Sequence, residues 1–336
     1  MAGISIVIPT LGRPSLAALL TALAAGPAVD VPVEVLIVDD RGDHTADLSL
    51  PSDAGSRLDA KVLTGRCAGP AAARNVGWRA ARHEWVAFLD DDVLPDPDWL
   101  LRLVDDLTAA DPGEGGVQGR VRVPLPVDRR PTDWERVTAG LADGEWITAD
   151  MAYRRAALAE AGGFDERLPR AFREDAELAY RVRRAGWRLV RGARTVTHPV
   201  RPEDPWISVR TQRGNADDAL LRHLYGPRWR DVLQVPPGRR HRHATVTAAG
   251  LTACGFAVTA AITGRRGWWA AAGTAALAWA AGTAEFAVAR IGPGPRDPRE
   301  IATMLATSTV IPPIATAQWL RGWWRWRGAT PVGGAR

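Results

Sequence analysis

Lysine is almost missing from this chain. Of 43 basic residues among 336, only Lys61 is a lysine, a skew that genome composition explains without reference to function. The arginines are scattered and mixed with 38 acids, so the net charge is only +5. The concentrated basic stripe that nucleic-acid binding needs is therefore absent. Cysteine is equally scarce. Cys67 and Cys254 lie far apart in segments of different character, which excludes a disulfide framework or a zinc-ligand spacing and leaves two reduced thiols. No G-x-G-x-x-G follows the first strand-like run, so a dinucleotide-binding dehydrogenase is disfavoured. The N-terminus has no basic start, apolar core or cleavage site of a signal peptide, so the first part of the chain is expected to stay in the cytoplasm. No internal repeat of useful length occurs.

What is present fits a folded α/β chain with an added segment. Hydrophobic residues make up 46% and charged residues 24%, which excludes global disorder. Ile4 to Ile8, Val33 to Val38 and Trp85 to Leu89 are short, β-rich apolar runs. Helical patterns at Pro14 to Ala25, Ala71 to Ala81 and Pro97 to Leu107 alternate with them. The alternation predicts a mostly parallel, Rossmann-like sheet with helices on both faces. Further on, Val117 to Val123 reads as a strand, Met151 to Ala161 and Asp175 to Ala185 as helices, and Arg188 to Val196 as a strand. Each of the first three strands ends in polar residues: Pro9-Thr10, Asp39-Asp40 and Asp90-Asp91-Asp92. Ligands of open parallel sheets bind beyond the carboxyl ends of the strands, so these three ends predict one oxygen-rich site.

From about Val235 the character changes. Pro236-Pro237-Gly238 and the basic residues Arg239, Arg240 and Arg242 precede long uncharged runs: Ala244 to Gly264, Trp268 to Ala284 and Ile301 to Leu320. A membrane-crossing helix needs about 20 apolar residues. The first run reaches that length, the second nearly does, and Pro312-Pro313 makes the third doubtful as a straight span. Trp319, Trp323, Trp324 and Trp326 among Arg321, Arg325 and Arg327 look like an interfacial belt. The expected division is a catalytic unit over 1–235 and a hydrophobic, membrane-associated helical unit over 236–336. A soluble Ala-rich helical subdomain is the alternative. Arg265 and Arg266 would fall on the far side of a straight span, which a shallow hairpin would relieve.

Three adjacent carboxylates at a strand end repel one another unless a cation neutralises them. Oxygen ligands select a hard ion such as magnesium or manganese. Asp90 and Asp92 share a face in an extended segment, so Asp92 can hold the metal while Asp90 reaches the metal's shell or a ribose. Taken alone, an acidic loop before the next helix explains the run equally well.

The run is not alone. Ser5-Ile6-Val7-Ile8-Pro9-Thr10, Glu34-Val35-Leu36-Ile37-Val38-Asp39-Asp40, the G-x-x-x-A-R-N-x-G segment Gly69 to Gly77, Asp90-Asp91-Asp92, Gly163-Phe164-Asp165-Glu166 and Arg173-Glu174-Asp175 follow in order. Over about residues 3 to 225 this series resembles the family 2 glycosyltransferases of the GT-A fold. The resemblance implies a nucleotide-diphosphate sugar as donor and a divalent metal. Asp39 would meet the nucleotide base, and Pro9 and Thr10 would frame the base and ribose. Arg74 and Arg13 would offer forked donors to base or phosphate oxygens. Asp90 and Asp91 would lie against the donor, and Asp92 with Asp90 and His198 would surround the metal. Asp175, with Glu174 beside it, would be the general base on the acceptor side, giving inversion at the sugar. Asp150 stands where the family usually has an amide, and would line the acceptor or sugar pocket.

Processive synthases of the family carry Q-x-x-R-W, which Gln212-Arg213-Gly214-Asn215 does not match, so a single addition is expected. If the tail enters the membrane, the acceptor is a lipid-linked or cell-envelope glycan on its cytoplasmic face. A nucleotidyltransferase is a weaker reading, because Leu11-Gly12-Arg13-Pro14 is too short for its phosphate loop. A sugar-nucleotide-binding scaffold is the non-enzymatic alternative.

Overall fold

The computed structural model describes residues 3–51 and 58–332. Among these residues, eight strands form one sheet: β1 (Ile4–Thr10), β2 (Val33–Asp39), β3 (Asp59–Thr64), β4 (Trp85–Leu89), β5 (Leu94–Pro95), β6 (Glu114–Arg122), β7 (Asp150–Arg154) and β8 (Arg188–Thr197), in the order β3-β2-β1-β4-β7-β6-β8-β5. β3, β2, β1 and β4 are mutually parallel, so their carboxyl ends share one edge. β7 enters antiparallel between β4 and β6, and β6 pairs parallel with β8.

Strand alternation sends side chains to two cores. Ile4, Ile6 and Ile8 of β1 pack with Leu16, Leu19 and Leu20 of the helix Ser15–Ala25 on one face. Val7 packs with Ala71, Ala73, Phe164 and Leu178 on the other. The helix Pro70–Ala80 lies so close to β1 that a Cβ on Gly77 would meet Val7 Cγ1 at 2.3 Å. Glycine is required there by contact, not by its backbone angle.

The segment expected as a helix over Met151 to Ala161 divides. Residues Asp150–Arg154 are strand β7, and only Arg155–Ala161 is helical. Met151 lies opposite both Phe88 and Gln118, so β4 and β6 satisfy its backbone from either side. Tertiary pairing overrides the weak local helical pattern. The edge strand β3 escapes the sequence pattern because it is largely exposed and has no apolar run.

Three long helices follow. Arg240–Thr263 and Arg266–Ile291 form an antiparallel hairpin, with Gly250 against Trp279 and Gly282 against Val246. The turn uses Gly264 at φ +66°. Pro298–Arg325 runs unbroken through Pro312 and Pro313. It docks on the helix Asn215–Tyr225, where a Cβ on Gly322 would meet the Ala216 carbonyl at 2.4 Å and His223 stacks on Trp323 at 3.9 Å. Arg290 is buried where the hairpin meets the rest of the molecule. It pairs with Asp133 at 2.8 Å and donates to Thr307, Ser308 and Ser208. Glu300 accepts from the Asp133 backbone at 2.9 Å. Among the described residues, one helix, Arg240–Thr263, is long and apolar enough to cross a membrane.

Candidate active site

The parallel strand ends bring the predicted acids together. Thr10 and Asp39 are register partners at the ends of β1 and β2. Thr10 donates its hydroxyl to Asp91 at 2.6 Å, and Arg13 reaches the other Asp91 oxygen at 3.0 Å. Asp91 is buried and spends both oxygens on binding the β1 and β4 ends to each other. Pro9 lies beside Val38 in the same register. Asp39 is gripped by the Arg41 guanidinium, with Nε at 2.9 Å and Nη2 at 2.7 Å, and His44 adds a contact at 3.2 Å. The Arg41 hydrogen bonds hold its carboxyl down to about 2, so Asp39 is anionic at neutral pH. Its neighbour Asp40 accepts from the Arg66 and Gly69 backbones, which anchors the loop before the helix Pro70–Ala80. Gly69 has φ +91°, and a Cβ there would meet the Pro169 carbonyl at 2.1 Å, so only glycine fits.

Asp90, Asp92 and His198 offer three ligand atoms within 4.8 Å of one another. Two carboxylates and an imidazole form a donor set suited to a manganese-type cation. Burial, and then the charge of Asp90, push the Asp92 carboxyl above its usual range. His198 Nε2 lies 3.4 Å from one Asp92 oxygen and Arg201 Nε lies 3.1 Å from the other. Arg201, three residues beyond His198, was not apparent from the sequence. The only local signal is its place just past the end of β8.

Arg74 has a different position from the one the motif suggested. It is 2% exposed and directs Nη2 to Asp90 at 2.7 Å and Nη1 to Glu174 at 2.8 Å. It therefore bridges two acids instead of presenting a fork to a phosphate. Glu174 is buried, with one oxygen on Arg74 and the other without a partner. Burial, reinforced by the charge of Asp175, raises its carboxyl to about 7. Asp175 is only partly buried, and one of its oxygens accepts from the Ala176 backbone at 2.7 Å. Burial also pushes Asp175 upward. Both acids open the helix Glu174–Arg184, which starts after Arg173 at φ +74°. A left-handed angle costs an arginine about 1 kcal/mol, and strain of this kind gathers at functional positions.

The acidic Gly163–Glu166 turn braces the site. Asn75 exchanges both its amide groups with the Phe164 backbone and donates to Glu166 at 2.8 Å. Asp165 is held by Arg167. Asp150 does not line a pocket. It is fully buried, accepting from Trp99 Nε1 at 2.8 Å and Arg194 Nε at 2.7 Å. An unpaired acid there would be prohibitively costly, so the acid at this position is matched to Arg194.

A cleft of about 880 Å³ opens at Arg201, with Trp134, Phe286 and Met304 also in its lining. Its walls come from the Asp133–Ala139 helix, the segment after β8 and the C-terminal helices. Trp134 donates to the Arg201 carbonyl at 3.0 Å, which fixes that segment's backbone.

Residues 5–147 match the model of glycosyl transferase family 2. The pre-mycofactocin glycosyltransferase of Mycobacterium tuberculosis is 29% identical over 201 residues, covering 55% of this chain and 40% of that protein. The hyaluronan synthase of Pasteurella multocida is 25% identical over 225 residues, 55% of this chain and 23% of that protein. The chain thus spans well under half the length of these curated relatives. A mannosyltransferase from Pyrobaculum calidifontis, solved with GDP-Man and Mn2+, superposes with a TM-score of 0.51 at 20% identity, over 96% of this chain and 87% of that one.

Proposed function

The chain carries a family 2 glycosyltransferase domain of the GT-A fold, and on that premise we propose that it moves a sugar from a nucleotide-diphosphate donor to an acceptor hydroxyl, with inversion. The observation that carries this reading is the Arg74 bridge. One buried guanidinium joins Asp90 of the cation-binding triad to Glu174 of the acid pair. Donor-side and acceptor-side chemistry are thereby held at a fixed separation.

Held by Asp90, Asp92 and His198, a divalent cation (manganese or magnesium) would supply Lewis-acid stabilisation of the departing diphosphate. Asp39 and the β1 end at Pro9 and Thr10 frame the base and ribose. Asp175 takes the proton from the acceptor hydroxyl, and the upward push of burial on its carboxyl makes it a stronger base than a solvent-exposed aspartate. Glu174 orients Arg74 and keeps Asp175 from being the only charge at the helix start. The 880 Å³ cleft beside Arg201 supplies the acceptor's approach. Its C-terminal wall favours an acceptor carried at a membrane, a lipid-linked or cell-envelope glycan. The catalytic domain then faces the cytoplasm and the hairpin enters the cell membrane. One sugar is added per encounter, as the unmatched processive motif implies.

The test is titration calorimetry of the full-length protein with UDP, GDP and dTDP, with and without manganese. Metal-dependent binding of one nucleotide, lost in Asp92→Ala, is the expected result. Well-folded protein that binds none of the three would overturn the donor site. Recovery of the full-length protein in the soluble fraction without detergent would overturn the membrane placement.

A further inference from the structure

Each aspartate of the 90–92 run carries one arginine: Arg74 on Asp90, Arg13 on Asp91 and Arg201 on Asp92. The three are not equivalent. Arg74 is sealed in the core and cannot leave. Arg13 serves Asp91, which lies outside the Asp90–Asp92–His198 triad. Arg201 serves a triad member, and its side chain is 39% exposed toward the adjoining cleft. Its backbone is held by Trp134, and prolines 199, 202 and 205 stiffen the segment around it. The side chain alone can swing, with room to do so.

Resting on the metal and donor reading above, we infer that Arg201 is a resident counter-ion of the metal carboxylates that must yield to the cation, and that a nucleoside diphosphate draws it away. Without a cation, buried Asp92 needs a positive partner, and the guanidinium provides it. A divalent ion on the same carboxylate is repelled by that guanidinium across a few ångströms. A diphosphate offers the guanidinium a better, forked partner. Metal binding is therefore weak alone and strong with nucleotide, which keeps the site from being loaded before the donor arrives.

The experiment measures free Mn2+ by electron paramagnetic resonance, titrating the full-length protein with manganese alone and with manganese plus UDP or GDP. Arg201→Gln is expected to bind manganese alone about tenfold more tightly than the wild type, and to gain less from nucleotide. Arg201→Lys keeps the charge and should stay near wild-type affinity without nucleotide. Unchanged or weaker manganese binding by Arg201→Gln without nucleotide overturns the inference. If manganese fails to bind the wild type even with nucleotide, the metal reading itself falls and takes this inference with it. If nucleotide leaves the wild-type manganese affinity unchanged, only the counter-ion role is lost.

Discussion

The sheet and the C-terminal helices distribute their side chains in opposite senses. Around β1 and β4, Ile4, Ile8, Phe88 and Leu89 are fully enclosed, and the acids line an open edge. In the helices, Leu251, Ile262 and Leu277 are each about 70% exposed or more, while Arg290, Thr307 and Ser308 are buried. A polar seam joins those helices to the sheet-bearing part, and their apolar sides face outward. For a chain in water that arrangement is costly, since large exposed apolar patches mark a partner or a membrane. The sheet builds its own interior. The helices borrow an interior on one side through Arg290 and leave apolar side chains exposed on the other.

The largest expected effect strikes the acid edge. Asp175→Asn should lower the transfer rate by about 10³-fold, within the range for loss of a general base, while nucleotide binding persists. Steady-state kinetics set beside calorimetry check this, and equal loss of both would reduce Asp175 to a structural acid.

Next comes the seam. Arg290→Met removes the closer partner of half-buried Asp133, leaving it Arg136 at 3.2 Å, and strips the donor from Thr307, Ser308 and Ser208, and should cost about 2 kcal/mol. Limited proteolysis between the sheet-bearing part and Arg240 should then accelerate. Unchanged denaturation and digestion would show that the helices dock by apolar contact alone.

The outward face is tested by Ile262→Asp and Leu277→Asp. Each should disfavour membrane insertion by about 2.5 to 3.5 kcal/mol, moving protein into the soluble fraction with nucleotide affinity unchanged. If both variants partition like the wild type, the exposed face meets another protein copy instead.

The narrowest effect is a pH dependence confined to the acid edge. Glu174 has its folded value raised from 4.5 to about 7. The folded state therefore binds the proton more tightly than the unfolded chain, and ∂ΔG/∂pH is negative over that window. Its stabilising contribution is complete below 4.5 and disappears as pH rises through about 7. Thermal denaturation from pH 4.5 to 7.5 should show this slope, and Glu174→Gln should remove it. A slope that persists in Glu174→Gln belongs to other groups.

Much of the fold was legible in the sequence because its signals are local. Apolar runs such as Ile4 to Ile8 are written in adjacent residues, as are the polar strand ends, and parallel pairing carried those ends to one edge. β7 was not legible, because Met151, Ala152 and Tyr153 have no strand period of their own and become a strand only between β4 and β6. The candidate site divides in the same way. The residue types of the acid run, the Gly69–Gly77 segment and Glu174-Asp175 could be read directly.

Which acid each arginine serves could not be read. Arg74 and Glu174 are 100 residues apart, and Asp150 and Arg194 are 44 apart. The sequence by itself determined the strand alternation, the order of the motifs and the family they resemble. Tertiary structure alone decided that Arg74 is a bridge, that Asp150 is a core ion pair, that Arg201 sits on Asp92 and that Arg290 holds the C-terminal helices in place. The reason is electrostatic. A charge taken out of water must find its opposite nearby, and burial, which sets that demand, arises only when distant segments meet.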